Sequence, residues 1–398
     1  MGLLLTAVCL SGCKGKEKDP EVTDPVLTPG VEQPGITPGA GSEILPGGEG
    51  AEAEMFQKLV RGGKLSPLEK RIPTNGNVYV AADVTGIYSE SACLATTDAS
   101  VITGELFSEG LFAYGADGSV QPNIAKSYEV NSNATVFTIH LREGMRWSDG
   151  TPFTADDCLF YYNSLCVPKV TGESIPACFL VGTQRATFAK QDLYTFTVTF
   201  PTGKSSFLKE LIDQGGICFA PEHFYANMLP EYMGEKAALS KAKDMGYTSV
   251  TEMLRGTLLR PWNVLGLPTL NPYILSTEEG KSDISGAYYE FVRNPYYWKV
   301  DAAGRQLPYL DRIEFTRVSG EAQQLLLTTE GYLAVSRLTS GQIAEATSMA
   351  EHGNYRIVSW GSDVYAVSNS LKNFPEQSPE EKNSRGIGAS HAEYWYIK

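Results

Sequence analysis

The sequence is short of histidine and of basic charge, and its cysteines are scattered. Its four histidines (His140, His223, His352, His391) stand apart, with no His-Glu-x-x-His or His-x-His spacing. None of the seven cysteines (Cys9, Cys13, Cys93, Cys158, Cys166, Cys178, Cys218) belongs to a Cys-x-x-Cys pair. A zinc or iron centre has no local ligand cluster to begin from, so neither a metal nor a cofactor is expected. No apolar run approaches the roughly 18–20 residues of a membrane-spanning helix, which excludes a helical transporter or channel. Lys and Arg number 33 against 46 Asp and Glu, a formal charge of −13. A surface this acidic repels phosphate backbones and argues against nucleic-acid partners. Gly-x-Ser-x-Gly is absent, and no Ser or Cys has a His within a local motif. A hydrolase would lack the nucleophile and base it needs, and the chain reads as a non-enzyme.

What is present is apolar bulk. Over 398 residues, 42% are hydrophobic and 11% aromatic. That composition excludes a wholly disordered chain and suits two or three domains. The start reads as an address. Leu3 to Leu10 is apolar and runs into Ser11-Gly12-Cys13, which resembles a bacterial lipobox with Cys13 as the lipidated residue. Residues 1–13 are then signal peptide and lipobox, and two or more acyl chains give stable anchoring. The expected location is the outer or periplasmic face of a cell membrane, reached by the lipid anchor alone. Residues 14–70 read as a flexible acidic tether. Pro-Gly steps at 29–30, 34–35, 38–39 and 46–47 break any helix, and residues 20–50 hold no Lys or Arg. A short helix is expected within 51–70, with order beginning near Arg71.

Periodicity then sets out the body. Val78 to Ala81, Thr135 to Leu141, Leu193 to Phe200, Tyr288 to Val292 and Arg312 to Val318 read as strands. Tyr355 to Val367 reads as a strand pair or one bent strand. Helices are expected over Thr103–Phe112, from Thr154 through Leu165, around Phe207–Ile212, over Glu235–Met253, Glu321–Leu327 and Ser340–Ala350. Thr154 is the expected N-cap, with Asp156 and Asp157 in the first turn where the helix dipole favours them. Trp147 reads as a core residue and Asp149-Gly150 as a tight turn. Cys166 and Cys178 are near enough in sequence to pair in an oxidising exterior, and equally able to remain thiols.

At Leu141-Arg-Glu-Gly-Met-Arg-Trp147-Ser-Asp149-Gly150-Thr-Pro-Phe-Thr154-Ala-Asp-Asp157 the chain resembles the extracellular solute-binding protein family 5 of ABC importers, the oligopeptide- and dipeptide-binding proteins. Leu106-Phe-Ser-Glu-Gly-Leu111, Pro122-Asn-Ile-Ala-Lys-Ser127, Phe196-Thr-Val-Thr-Phe200 and Arg293-Asn-Pro-Tyr-Tyr-Trp298 with Leu310-Asp311 agree, in family order, so the likeness covers roughly 75–370. It implies a mixed α/β fold, a periplasmic-binding-protein-like II (cluster C) lobe with the second lobe missing. Domain I is expected over 71–112 and 199–360 and domain II over 113–198, with 361–398 as hinge start and unplaced tail.

The resemblance further implies a monomeric lipoprotein that captures oligopeptides and hands them to ABC permease subunits without chemistry of its own. Positions that face ligand in the family fall in the loop expected over Tyr88 to Asp98, with Tyr88, Ser89, Glu90 and Ser91 singled out, and at Trp360 to Tyr365. Within the same class, an oligosaccharide binder would stack Tyr88, Trp262, Trp360 and Tyr365 on sugar rings, and the insert Lys299 to Gln306 resembles a subgroup of mixed ligands. Nickel binding is weakened by the scarcity of histidine. A truncated, non-functional remnant is the remaining alternative.

Overall fold

The computed structural model describes residues 50–371 apart from 74–76, 83–85, 99–101, 103–105, 116–117, 279–286 and 361–362. In chain order its strands are β1 (Tyr79–Ala82), β2 (Ser89–Thr96), β3 (Phe112–Tyr114), β4 (Val120–Pro122), β5 (Ala125–Val130), β6 (Val136–Leu141), β7 (Leu180–Val181), β8 (Gln184–Arg185), β9 (Thr187–Lys190), β10 (Thr195–Thr199), β11 (Tyr273–Leu275), β12 (Tyr288–Arg293), β13 (Lys299–Asp301), β14 (Leu310–Arg317), β15 (Val335–Leu338), β16 (Tyr355–Trp360) and β17 (Asp363–Ser368). The longer helices are α1 (Glu54–Arg61), α2 (Ala155–Phe160), α3 (Phe207–Asp213), α4 (Glu235–Asp244), α5 (Val250–Leu259), α6 (Glu321–Thr329) and α7 (Ile343–Met349).

Two sheets organise these elements. The larger has seven strands in the order β11-β12-β14-β2-β15-β17-β16. Strand β2 pairs in parallel with β14 on one side and with β15 on the other. Ala92 and Leu94 of β2 and Ile313 and Phe315 of β14 face one core, together with Phe291, Tyr273 and Trp262. Helices α6 and α7 supply apolar side chains (Leu325, Ile343, Ala346) to a smaller cluster with Leu338, Tyr355 and Ala366. The smaller sheet has four antiparallel strands in the order β5-β6-β10-β9. The alternation over β6 puts Phe137, Ile139 and Leu141 into a second core and leaves Val136, Thr138 and His140 half-buried on the other face. This is the period-2 pattern of a sheet covered on one side.

Several expectations change. Ala51, Ala53, Phe56 and Leu68 are buried, and the Arg71 guanidinium pairs with Glu52. The tether expected over 14–70 therefore gives way to packed structure by Ala51; residues 1–49, Cys13 among them, lie outside the described residues. The stretch Tyr88 to Asp98, expected as a loop, is mostly strand β2, in the middle of the large sheet. Its alternation of small polar and small apolar residues carries too little bulk to announce a strand. The helix expected over Glu235–Met253 breaks into α4 and α5, with Gly246 at φ +82° between them. A left-handed backbone ends a helix and suits glycine. The helix from Thr154 passes into a π-helical turn over Tyr161–Leu165. Tyr355 to Val367 is a strand pair, β16 and β17. The division expected at 198/199 does not follow the cores: Phe200, Phe207, Leu208 and Leu211 pack with β6 and β10. Residues through Leu371 belong to the large sheet and its core. Cys166 and Cys178 are free, buried thiols.

Candidate functional site

The chain enters the large sheet at β2, adds β14 beside it, then crosses through α6 to place β15 on the opposite side of β2. The direction of strand addition therefore reverses at β2. In open α/β sheets such a reversal opens a crevice at the carboxyl ends of the strands, where ligands bind. Here that edge is formed by Thr96 at the end of β2, Arg317 at the end of β14, Arg337 near the end of β15, and Asp363 and Tyr365 at the start of the antiparallel β17.

Register aligns these side chains. Arg317 lies opposite Thr96, and Arg337 opposite Tyr365. Val335 pairs with Leu94 in parallel, so Arg337, two residues on, comes level with Thr96. All four positions share the face of Leu94, Phe315 and Val335, at its outer end. Thr96 is buried, and its hydroxyl donates to the Asp98 carbonyl at 2.6 Å and accepts from the Asp98 amide at 3.0 Å. This fixes the turn that leaves β2. Arg317 is exposed, and its side chain has no partner among the described residues. Arg337 is exposed too, and donates from Nη2 to Asp363 Oδ1 at 2.6 Å. That hydrogen bond raises its pKa, as a carboxylate partner should.

The structure divides the sequence candidates between the two ends of the sheet. Tyr365 lies on the carboxyl edge, as does the backbone of Trp360, which pairs with Asp363. Tyr88 and Ser89 lie at the opposite end. The Tyr88 hydroxyl donates to the carbonyls of Gln306 (2.8 Å) and Ala51 (3.0 Å), and the Arg293 guanidinium sits 4.7 Å above its ring. Burial, with Arg293 opposing it, pushes the Tyr88 phenol up. Tyr88 thus closes a joint between the N-terminal segment and the sheet. The Ser89 amide donates to the Tyr309 carbonyl, and Ser91 pairs with Arg312 in mid-strand. The side chains of Glu90 and Trp360 lie outside the described residues. Arg317 and Arg337 carried no motif in the sequence; only strand register brings them beside Thr96.

The Trp147–Asp157 motif forms a scaffold below the small sheet. Trp147 is buried against Phe153 and Phe219. Asp149 accepts from the Thr151 amide at 2.9 Å and lies 2.7 Å from His223 Nε2. Its burial is outweighed by these contacts, so its pKa falls below the usual carboxylate value. Gly150 has φ +90°, and a Cβ there would lie 2.7 Å from the Tyr296 hydroxyl. Thr154 Oγ1 accepts from the Asp156 amide at 3.3 Å, while Asp157 Oδ2 accepts from the Thr154 amide at 3.0 Å, the reciprocal bonds of a capping box. Of the aromatics available for sugar stacking, Trp262 is buried edge-on to Tyr289, and Tyr88 is held as above. Tyr297 and Trp298 are fully buried. Among the described residues no group of three His, Cys, Asp or Glu side chains is placed to hold a metal ion, and no helix is long and apolar enough to cross a membrane.

Comparison with known proteins gives a consistent result. Residues 119–376 match the model of the bacterial extracellular solute-binding proteins, family 5 Middle. The chain is 30% identical over 291 residues to the periplasmic alpha-galactoside-binding protein of Rhizobium meliloti (strain 1021), covering 65% of this chain and 38% of that protein. Among solved structures it is similar to an oligopeptide-binding protein OppA, with TM-score 0.69 and 26% identity over 78% of this chain and 49% of that one. It shares its fold with the periplasmic binding protein MelB of Agrobacterium fabrum C58, solved with stachyose, at TM-score 0.58 and 22% identity, covering 83% of this chain and 52% of that one. The chain thus spans about half the length of these relatives or less.

Proposed function

Because the chain belongs to the bacterial extracellular solute-binding proteins, family 5, whose members are binding proteins of ABC importers, we propose that it captures oligopeptides and presents them to the permease subunits of an importer. The carboxyl edge of the large sheet forms its share of the ligand crevice. The observation that carries this reading is the character of that edge: a strand-order reversal at β2 lined by Thr96, Arg317 and the Arg337–Asp363 pair. Charged groups suit a charged, hydrogen-bonding ligand such as a peptide. The likeness to OppA supports the same ligand class. The likeness to an alpha-galactoside-binding protein favours a sugar instead. Against a sugar, Trp262 is buried edge-on to Tyr289 and half-buried Tyr88 lies under the Arg293 guanidinium, which leaves Tyr365 as the one described ring of the four at the edge.

We also propose that Cys13 carries the lipid anchor, with residues 14–49 as the tether between membrane and folded body. Metabolic labelling with radioactive palmitate should mark the chain and should be lost in Cys13→Ala. Label retained in that variant removes the anchor from the reading. Calorimetric titration of the full chain with mixed tri- to pentapeptides and, separately, with stachyose tests the ligand class. Heat from the peptides is the expected result; heat from stachyose alone overturns the peptide reading.

A further inference from the structure

We propose that Arg317, backed by Arg337, recognises a carboxylate of the ligand, so that the chain selects peptide-like molecules with a free carboxylate over those without one. This rests on the ligand crevice assigned above and adds to it the charge of what enters. The row across the sheet edge runs Arg317 on β14, Thr96 on β2, Arg337 on β15 and Tyr365 on β17. Neighbouring strands lie about 4.8 Å apart, so the two arginines stand about 10 Å apart at their backbones with Thr96 between them. Their side chains are long enough for both guanidinium groups to close on one carboxylate above Thr96.

The chain's charge makes this placement selective. Its net charge is −13, which repels anions from most of its surface. Two exposed guanidinium groups flank the reversal in strand order, one of them paired with the Asp363 carboxylate. Each presents a planar set of donors that matches a carboxylate, a geometry lysine lacks. They are not equivalent. Arg337 is already held by Asp363 at 2.6 Å, which aims it and offsets its charge. Arg317 has no side-chain partner among the described residues, so its donors are open to a ligand. Asp98, also exposed, lies two residues beyond Thr96 on the same edge. Arg317 is thus the primary contact and Arg337 the support.

The test is titration calorimetry of the full chain at low salt with penta-alanine as free acid, penta-alanine as C-terminal amide, and stachyose. The free acid should bind about tenfold or more tightly than the amide, with the difference shrinking as salt rises. Arg317→Gln should reduce free-acid affinity about tenfold and leave amide affinity unchanged. Arg317→Lys should recover part of the loss, and Arg337→Gln should cost less than Arg317→Gln. Both positions are exposed, so unchanged thermal melts serve as the folding control. Equal affinity for acid and amide, or an Arg317→Gln effect common to both, overturns the carboxylate assignment while peptide capture stands. Binding of stachyose without either peptide, or of no probe at all, overturns peptide capture itself and the assignment with it.

Discussion

Asp157 shows how one carboxylate is set by its surroundings. It lies buried at the start of α2, and burial raises its pKa to about 6, although the Thr154 and Glu222 amides bonded to it pull the other way. A carboxyl whose folded pKa exceeds its unfolded value near 3.9 binds its proton more tightly in the native state. Its contribution is fully present below about pH 4 and is lost as pH rises through 6. Asparagine cannot ionise, so Asp157→Asn should remove this slope. Urea unfolding at pH 4.5 and 7 should show the wild type losing about 2 kcal/mol relative to the variant over that interval. Parallel profiles for the two proteins would mean that Asp157 ionises freely in the folded chain. Glu109 and Lys299 pose a related question. They form an ion pair at 2.8 Å with both side chains buried, and Glu109 also accepts from Tyr297 (2.6 Å) and Asn123 (2.7 Å). Removing one partner strands a buried charge. Lys299→Met should therefore cost about 3–5 kcal/mol, with the double variant Glu109→Gln/Lys299→Met costing less than the single one. A loss in the double variant equal to the sum of the losses in Glu109→Gln and Lys299→Met would show that the pair is not coupled.

At the level of elements, legibility followed side-chain bulk and turn chemistry. The strands β6, β10 and much of β14 alternate large apolar residues with polar ones, β12 is rich in aromatic and β-branched residues, and the sequence alone places all four to within a few residues. The cap on α2 is readable because Thr154 and Asp157 have the spacing of a capping box. By contrast, β2 is built from Ser, Glu, Ala, Cys, Leu and Thr, and its place at the centre of the large sheet comes from pairing with β14 and β15, which are far away in sequence. The edge proposed above to face ligand was legible only in part. Family position pointed to Tyr88–Asp98 and to Trp360–Tyr365, whereas Arg317 and Arg337 depend on strand register. The Asp149-Gly150 turn shows both kinds of information at once. Its tightness can be read locally, whereas the reason for glycine is partly tertiary: φ is +90°, and the Tyr296 hydroxyl occupies the space of a side chain. Gly150→Ala should destabilise by about 1–3 kcal/mol in urea unfolding. Adding Tyr296→Ala should recover the steric share, since both the hydroxyl and the ring carbon 2.9 Å from the new Cβ are removed, and leave the conformational share in place. Full recovery would show that the backbone angle costs nothing.

For the whole molecule, the question is whether the two sheets behave as one body. Their cores are separate clusters, one centred on Phe315 and Phe291, the other on Phe137, Phe196 and Trp147. The chain segments between them are joined by buried polar groups and not only by loops. Glu109 follows Phe107, which packs in the first core, and precedes Leu111, which packs in the second. Its backbone amide donates to Asn271 Oδ1, its carboxylate binds Asn123, Tyr297 and Lys299, and the Trp298 indole donates to the Leu270 carbonyl. The N-terminal segment adds a second fastening, since the guanidinium groups of Arg71 and Arg293 lie 5.3 and 5.8 Å from the Phe56 ring, and the Ala51 carbonyl accepts from both Tyr88 and Gln306. Opening either sheet alone would expose part of this network unpaired, and each buried polar group left without its partner costs roughly 1–3 kcal/mol. The two sheets should therefore unfold together. Urea titration followed by tryptophan fluorescence and by far-ultraviolet circular dichroism should give coincident single transitions for the wild type. Phe56→Ala should shift that midpoint by about 3–5 kcal/mol in free energy without splitting it, because the Glu109 network still joins the cores. Two resolved transitions in the wild type would show that each sheet is stable alone and that the buried polar joint couples nothing.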